Sequence, residues 1–449
     1  MALSAAVRLT ARTGQSVHLP FGAWSRVSDE PLLVPQGSTW ESAGTFNPAV
    51  VRHNGKTVML YRAQDMAGTS RLGYAESEDG IHFSRRPEPV LAPEADYEKD
   101  GGVEDPRLQK FGDSYYLTYT GYNKKDAQLC LATSRDLIHW ERKGVMLPAY
   151  QGHWNKSWTK SGAIVPEKID DKYWMYWLGT SADKTDQMGL SYSTDLIHWT
   201  EATRTPVLPR RPGKFDSRVV EPGPPPILTS SGIVLVYNGA DDTLVYRTGV
   251  AVFDLHDPRK VLYRSDAPVF SPEKEWEKVG QVPSVVFVEG MIRQENRWLF
   301  YYGGADKYVG VAEAQELQDA SPPAVPSSTL PPSEGEVVTF PSGELTLHGV
   351  LYKPDGEGPF QALVYNHASA PGMLSKGAFD ALGPIFVKNG WVFFGPYRRG
   401  QGLSSSAGKY IGDEIALWRV RPGWHTCGYF GSSVWADDVF RFLNKHGPR

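Results

Sequence analysis

One tyrosine recurs five times along the first two thirds of the chain, each time at the end of the same strand–turn–strand pattern. The five copies end at Tyr61, Tyr119, Tyr176, Tyr237 and Tyr302. They are spaced by roughly 60 residues, and each copy has room for about four short alternating strands with almost no helical periodicity. Such a unit buries its faces only by stacking on its neighbours. The sequence therefore predicts a mostly β fold, a five-bladed β-propeller.

A second motif recurs in step with the first. It runs Asp-Gly-Ile-His-Phe from Asp79 and Asp-Leu-Ile-His-Trp from Asp136 and again from Asp195, and each copy precedes a proline-flanked apolar strand. One histidine per unit at equivalent turns is what a structural repeat requires. A metal or catalytic centre would not be distributed in this way, so we interpret these histidines as structural.

Composition excludes several classes of protein. A net charge of −4 over 449 residues gives no general attraction to nucleic acid or acidic membranes. With only Cys130 and Cys427, the chain has neither a disulfide framework nor a four-cysteine zinc site. No signal peptide or apolar spanning run is apparent, so we expect a cytoplasmic protein with no nucleic-acid or membrane partner. No cofactor is predicted, while metal dependence and oligomeric state stay open.

The chain divides into three regions by composition. Residues 1–314 carry the repeats and form the predicted catalytic propeller, and residues 315–335 are a linker rich in proline and serine. In residues 336–449, short apolar runs alternate with a helix-like stretch, which predicts a small partial α/β domain.

This last region resembles the opening of the α/β-hydrolase fold in its dienelactone-hydrolase-like branch. The matching pieces are Val364-Tyr365-Asn366-His367, where that family keeps an oxyanion-hole loop, and the segment from Pro396 to Gly402. Those enzymes need a Gly-x-Ser-x-Gly nucleophile elbow, and the nearest candidate, Gly431-Ser432-Ser433-Val434-Trp435, lacks the second glycine. We therefore expect a truncated domain without the nucleophile.

The predicted catalytic site lies where the repeats converge and differ from one another. Acid/base cleavage of a glycosidic bond uses two carboxylates, and Asp105 and Glu221 are the leading pair. The candidate substrate-binding residues stand at equivalent points of the five units: Asn47, Arg62, Asp65, Glu104, Arg107, Lys160, Tyr237, Asn238, Asp241 and Asp306.

At these positions the chain resembles glycoside hydrolase family 130. The resemblance covers about residues 40–315 and rests on motifs in the same order, which are Asn47-Pro48, Tyr61-Arg62-Ala63, Gly101 to Arg107, Lys160-Ser161-Gly162-Ala163, Gly223 to Thr229 and Tyr302 to Asp306. It implies a five-bladed propeller that acts on β-mannosides, by phosphorolysis or hydrolysis, with inversion. It further implies that Asp105 donates the proton, with Asn47, Arg62 and Asp306 around the sugar.

Two departures from the phosphorylase pattern favour hydrolysis. Where the phosphorylases carry Tyr-His-Gly, this chain has Tyr237-Asn238-Gly239, which removes one cation that could bind phosphate. Glu221 stands where they carry a small residue, and its carboxylate would repel phosphate but could deprotonate water. The main prediction is thus a hydrolase of a β-glycoside or oligosaccharide, with Asp105 as acid and Glu221 as base.

Three alternatives stay open at this point. The first is a phosphorylase that uses inorganic phosphate as co-substrate, since Lys160 and Arg107 remain. The second is membership of families 43, 32 or 68, which share the architecture and act on other sugars. The third is a non-catalytic carbohydrate-binding propeller.

Overall fold

The computed structural model describes residues 9–10, 16–317, 335–342, 345–356, 360–365, 377–388, 390–397, 403–404, 415–416 and 430–431. The chain separates into two compact parts, an N-terminal domain (Met1–Pro323) and a C-terminal domain (Ala324–Arg449). Within the predicted linker, the residues up to Leu317 still pair with the N-terminal domain, because Leu317 donates its backbone N–H to Pro20. No helix among the described residues is long and apolar enough to cross a membrane.

The N-terminal domain consists of short antiparallel strands grouped in five units. It opens with β1 (Leu9–Thr10), β2 (Ser16–Val17) and β3 (Ser25–Arg26). Unit 1 contains β4 (Gly44–His53), β5 (Lys56–Gln64), β6 (Ser70–Ser77) and β7 (Ser84–Arg85). Unit 2 follows a 3₁₀ turn (Asp96–Glu98) and contains β8 (Gly102–Phe111), β9 (Ser114–Tyr122), β10 (Ala127–Ser134) and β11 (Glu141–Leu147).

The remaining three units repeat this plan. Unit 3 contains β12 (Thr159–Ile164), β13 (Tyr173–Thr180), β14 (Asp186–Ser193) and β15 (Thr200–Glu201). Unit 4 contains β16 (Val219–Pro222), β17 (Ile227–Thr229), β18 (Gly232–Ala240), β19 (Tyr246–Phe253) and β20 (Val261–Arg264). Unit 5 follows α1 (Glu275–Lys278) and contains β21 (Val286–Gln294), β22 (Arg297–Gly304) and β23 (Tyr308–Gln315).

Neighbouring units are connected through their strands. One parallel residue pair, Ser70 with Gly102, joins units 1 and 2, and a second, Asp186 with Val219, joins units 3 and 4. In unit 5 the strand β3, from the start of the chain, pairs with β23 as the fourth strand. The first strands also pack on one another, β4 on β8, β8 on β12, β12 on β16 and β21 on β4. Equivalent positions on these strands are thereby brought together.

The recurring tyrosines stabilise the units through buried ion pairs. In four units the tyrosine hydroxyl donates a hydrogen bond of 2.7 to 2.9 Å to a buried carboxylate that also pairs with an arginine. These sets are Tyr61–Glu41–Arg85, Tyr119–Glu98–Arg142, Tyr237–Asp216–Arg264 and Tyr302–Glu277–Arg26. In unit 3 the hydroxyl of Tyr176 donates instead to the carbonyl of Pro258. Each recurring tyrosine thus has its buried hydroxyl satisfied, inside its own unit in four cases and by unit 4 in the case of Tyr176.

The Asp-x-Ile-His-aromatic motif forms an exposed turn in each of its three copies. In the first copy the Asp79 carboxylate accepts the backbone N–H groups of Ile81 and His82, and it contacts the imidazole Nδ1 at 2.6 Å. The copies at Asp136 and Asp195 have the same hydrogen bonds, and all three imidazoles are at least 86% exposed. The motif closes a surface turn by capping backbone donors.

The described part of the C-terminal domain is a small α/β layer. Its four-stranded sheet has the order β24 (Glu336–Ser342), β25 (Leu345–Tyr352), β27 (Trp391–Pro396), β26 (Gln361–Val364), with β26 parallel to β27. The helix α2 (Gly377–Lys388) packs on it, and a short pair, β28 (Ile415–Ala416) with β29 (Phe430–Gly431), lies later in the chain. Most of the predicted hydrolase motifs, including 366–367, 398–402 and 432–435, lie outside the described residues.

Candidate active site

The first strands of units 1, 2 and 3 are each interrupted by a β-bulge opposite the second strand. One residue of each bulge has a left-handed backbone, with φ of 48° at Asn47, 51° at Asp105 and 60° at Ser161. Positive φ is uncommon outside glycine and concentrates at functional sites. A bulge also redirects a side chain away from the regular alternation of the strand. These three buried polar residues thus occupy one equivalent position in three neighbouring strands.

Asp105 lies among donors and cations. Its Oδ1 accepts a hydrogen bond from Asn47 Nδ2 at 2.7 Å and one from Arg62 Nη1 at 3.0 Å, while Lys160 Nζ lies 3.4 Å from Oδ2. Burial by itself would raise the pKa of Asp105, but Lys160, Arg62 and Arg107 outweigh it and hold that pKa below its usual range. In the free protein Asp105 is therefore an anion held by cations.

Glu104 is the second carboxylate of this cluster. Its Oε1 accepts a hydrogen bond from Arg62 Nη2 at 2.6 Å and another from the Ser70 hydroxyl at 3.2 Å. Lys160 Nζ lies 3.9 Å from its other oxygen. Arg62 therefore holds the adjacent side chains of Glu104 and Asp105 with one guanidinium fork, a geometry that lysine could not reproduce.

Glu221 occupies the corresponding point in unit 4, directly before Pro222, as Asp105 stands directly before Pro106. Its side chain is buried, and the Ser161 hydroxyl donates a hydrogen bond to it. Burial is the largest influence on its pKa, and Asp105 adds to it, so the pKa of Glu221 rises to about 7 although Arg107 and Lys160 oppose the change. A carboxyl group that titrates near neutrality is suited to acid/base chemistry.

Asp306 belongs to the same electrostatic group. It lies in the turn between β22 and β23 with a left-handed backbone, φ 51°. Burial, with a further contribution from Asp105, raises its pKa to about 6, and Arg62 and Lys160 oppose this rise. Its side chain forms no hydrogen bond or ion pair within the described part of the chain, so it is available to a substrate.

A cavity of about 270 Å³ lies beside Arg62, Glu104 and Lys160. Three cations and one carboxylate are among its lining residues, and two aromatic rings form part of its wall. The complete lining is Arg62, Gln64, Gly68, Glu104, Tyr122, Lys124, Ala127, Trp158 and Lys160. This composition suits a polar ligand with negative charge or many hydroxyl groups.

Two predicted site residues lie in the interior of unit 4 instead of beside the cavity. The Tyr237 hydroxyl donates to the buried Asp216, and Asn238 bridges to unit 5 by donating to the Val288 carbonyl and accepting from the Val288 N–H. Both side chains have all their polar atoms engaged by the protein. Asn238 thus makes a contact between strands of units 4 and 5.

Two other predicted residues are capping acids in turns. Asp65 accepts backbone N–H groups of its own turn and pairs with Arg71 at 2.8 Å. Asp241 does the same with Arg247 at 2.6 Å. Burial would raise the pKa of each aspartate, but these contacts outweigh it and lower the pKa. Neither aspartate belongs to the Asp105 cluster.

Sequence reasoning missed two contributors, Ser161 and Glu289. Ser161 carried a signal, because it precedes Gly162 just as Asn47 precedes Pro48 in the same repeat position. Glu289 is fully buried on β21 and lies 2.6 Å from Arg107. Among the described residues no group of three histidine, cysteine or acidic side chains has the arrangement of a metal site.

Comparison with known proteins assigns the chain to a mannoside-active class of carbohydrate-active enzymes. Residues 20–320 match the family described as beta-1,4-mannooligosaccharide phosphorylase, which is glycoside hydrolase family 130. The chain therefore belongs to that family, and the predicted resemblance is confirmed.

Similar proteins carry names from both reactions of the family. The chain is 40% identical over 298 residues to a 1,2-beta-oligomannan phosphorylase of Thermoanaerobacter sp. (strain X514), covering 64% of this chain and 95% of the relative. A beta-1,2-mannobiose phosphorylase of the same organism is 34% identical, covering 64% and 96%. A solved structure is 38% identical with a TM-score of 0.60, covering 65% of this chain and 94% of that one. That structure is described with members of the family that are glycoside hydrolases and target beta-1,2 mannosidic linkages in Candida mannan.

Proposed function

We propose that the protein cleaves β-mannosidic bonds in oligosaccharides, with inorganic phosphate as the acceptor of the mannosyl group. The observation that carries the proposal is the match over 298 residues to a relative named as a phosphorylase, 95% of which is covered. The cavity supports it, because Arg62, Lys124 and Lys160 supply the kind of donors that a phosphate dianion needs. This reverses the order of the two reactions predicted from the sequence.

In this proposal Asp105 is the proton donor to the leaving sugar. The assignment sets a condition, because the cations around Asp105 keep it deprotonated in the free protein. Of the two cations that contact the Asp105 carboxylate, Lys160 is the more distant, with its Nζ 3.4 Å from Oδ2. We infer that substrate or phosphate draws Lys160 away and lets Asp105 take up a proton. Asn47, Arg62 and Asp306 then hold the sugar that is transferred.

Hydrolysis is the second candidate, and Glu221 favours it. A buried carboxyl group with a pKa of about 7 can act as the base that activates water. In this case Asp105 is the acid and Glu221 the base, as the sequence predicts.

The two candidates are separated by the product. Purified protein is incubated with β-1,2- and β-1,4-mannobiose, with and without phosphate, and free mannose and mannose 1-phosphate are quantified. We expect mannose 1-phosphate, formed only when phosphate is present. Release of mannose at the same rate without phosphate would replace phosphorolysis with hydrolysis.

Two variants make this experiment sharper. Asp105→Asn should abolish both reactions, while Glu221→Gln should abolish hydrolysis but leave phosphorolysis within about tenfold, since phosphate needs no base. Binding of mannobiose without any cleavage would instead identify a carbohydrate-binding protein.

We also propose that the five strand units are the blades of a five-bladed propeller. The packing of β4, β8, β12 and β16 in succession, with β21 on β4, supports this arrangement. The domain limits proposed from the sequence are 1–314, 315–335 and 336–449, with a C-terminal α/β domain that lacks a nucleophile. Cleavage by a deletion variant ending at residue 317, at the full-length rate, is the result expected if only the propeller is catalytic.

A further inference from the structure

Arg107 connects the strands that carry the two leading carboxylates. Its guanidinium donates to the carbonyls of Pro222 at 2.7 Å and Gly223 at 3.1 Å, directly after Glu221. The same group donates to the backbone carbonyl of Asp105 at 3.1 Å. Its side chain is only 1% exposed. Arg107 therefore binds the backbone of unit 2 to that of unit 4 from inside the protein.

Glu289 is the buried acidic partner of Arg107. Its Oε1 lies 2.6 Å from Arg107 Nη1, and its side chain has no exposed surface. It occupies the register break between Val288 and Gly290 on β21, so the pair also includes unit 5. Burial raises the pKa of Glu289 well above its usual value although Arg107 opposes the rise. Removing either residue would leave the other polar side chain buried without its partner, which is strongly destabilising.

Neither residue of the pair lines the cavity beside Arg62. That cavity is lined by Arg62, Glu104 and Lys160 but by neither member of the pair. Glu289 instead lines a second cavity of about 240 Å³, formed by residues further along the first strands. The guanidinium of Arg107 contacts three backbone carbonyls and Glu289, and these contacts favour a positioning role over the predicted role in binding substrate.

The backbone that Arg107 holds has little freedom to move. At Gly223 an added Cβ would lie 2.7 Å from the Val236 carbonyl oxygen and 2.8 Å from that of Val288. Strands of units 4 and 5 thus enclose this point, and Arg107 holds it from the side of unit 2. A small change in the pair would be transmitted directly to the position of Glu221.

We propose that Arg107 and Glu289 form a positioning pair that fixes the separation and orientation of Asp105 and Glu221 without contacting the substrate. The inference rests on the proposed cleavage of mannosides and adds two residues to the machinery of that site. The pair sets the reacting geometry, to which rates are steeply sensitive, since a misplacement of about 1 Å can cost 10²-fold.

Steady-state kinetics with mannobiose test the pair through Arg107→Lys and Glu289→Gln. Lysine keeps the charge but loses the fork that reaches both carbonyls, so kcat should fall about 10²-fold while KM stays within about threefold. Glu289→Gln should lower kcat about tenfold, again with little change in KM. A contact with substrate would instead raise KM.

The pH profile gives a readout that a purely structural role would not move. Arg107→Met removes a cation that lowers the pKa of both Asp105 and Glu221, so the limb of the profile set by Asp105 in phosphorolysis, or by Glu221 in hydrolysis, should shift upward by about one pH unit. With Arg107→Lys, the limb of the profile should lie at its wild-type pH. If Arg107→Met fails to fold, Arg107→Lys is the variant that carries the test. The titratable groups that interact electrostatically with Glu221 are Arg107, Asp105, Lys160, Tyr246 and Glu289.

The matched control is Glu277→Gln in the same unit. Glu277 is also fully buried and lies 2.7 Å from an arginine, Arg26, but it belongs to the tyrosine network of unit 5. This variant should lose stability while kcat and the pH profile stay at wild-type values. Unchanged kcat in folded Arg107 and Glu289 variants, or an equal loss in the control, would overturn the positioning role alone. A wild-type protein that cleaves no mannoside would refute the proposed function, and the positioning role with it.

Discussion

Replacing Glu221 by glutamine should stabilise the folded protein at alkaline pH. Burial raises the pKa of Glu221 from 4.5 to about 7. A carboxyl group with a raised pKa favours folding below its unfolded pKa, and that contribution is lost as the pH rises through the folded pKa. The shift of about 2.5 units corresponds to about 3 kcal/mol of unfolding free energy above pH 8. Glutamine has the same shape, still accepts the Ser161 hydrogen bond, and carries no charge.

The measurement is the free energy of unfolding by urea at pH 5 and at pH 8.5, for wild type and Glu221→Gln. The free energy of unfolding of Glu221→Gln, taken relative to wild type, should be about 2 to 3 kcal/mol higher at pH 8.5 than at pH 5. Glu88→Gln is the control, because Glu88 is an exposed carboxylate of the same chain. The free energy of unfolding of Glu88→Gln should differ from that of wild type by the same amount at both pH values.

The reasoning fails if Glu221→Gln is destabilised equally at pH 5 and pH 8.5. Such a result would mean that the anion of Glu221 is well compensated in the folded state, and that Arg107 and Lys160 outweigh its burial. Glu221 would then be an ordinary ionised group at neutral pH. A stabilised variant with impaired hydrolysis would instead identify a residue kept for function at the expense of stability.

Three further predictions concern single side chains. Asn47→Gly keeps the left-handed backbone but removes the hydrogen bond to Asp105, the proposed proton donor, so kcat/KM for mannobiose should fall about 10- to 100-fold. Tyr119→Phe leaves the buried Glu98 without a 2.7 Å donor and should cost about 1 to 3 kcal/mol in urea unfolding, with kcat unchanged. Gly310→Ala places a Cβ 2.6 Å from the ring of Tyr302, so the melting temperature should fall, whereas an unchanged value would mean that the ring moves aside without cost.

The repeated units could be predicted from the sequence because their signals are local. A terminal tyrosine and a polar turn mark each strand pair, and alternation within about ten residues identifies the strands. The fourth strand of unit 5 could not be predicted, since Ser25–Arg26 is two residues long and its partner β23 lies at the other end of the domain. Pairing over such a distance leaves no pattern in either segment.

The site is predictable in part, and the sequence holds a signal that separates its aspartates. Asp65, Asp241 and Asp306 all stand four residues after a terminal tyrosine, which predicts the same role for the three. In units 1 and 4 an arginine follows the aspartate by six residues, at Arg71 and Arg247, and binds it. In unit 5 the residue six positions after Asp306 is Ala312, which cannot form this ion pair. The Asp306 carboxyl group is therefore not bound in the same way. The burial of Glu289 against Arg107 had no such signal, because contacts between units decide it.

The pairing of β3 with β23 has a consequence for how the protein is made. Ser25–Arg26 is synthesised early, but its partner strand Tyr308–Gln315 leaves the ribosome only after the other four units. Unit 5 therefore cannot be completed during most of translation, and non-local pairing of this kind is slow. A chain that lacks residues 1–26 would leave residues 312–313 of β23 unpaired, an exposed strand edge that is a template for association with other chains. Loss of the N-terminal segment through β3 should thus appear as aggregation that begins at β23.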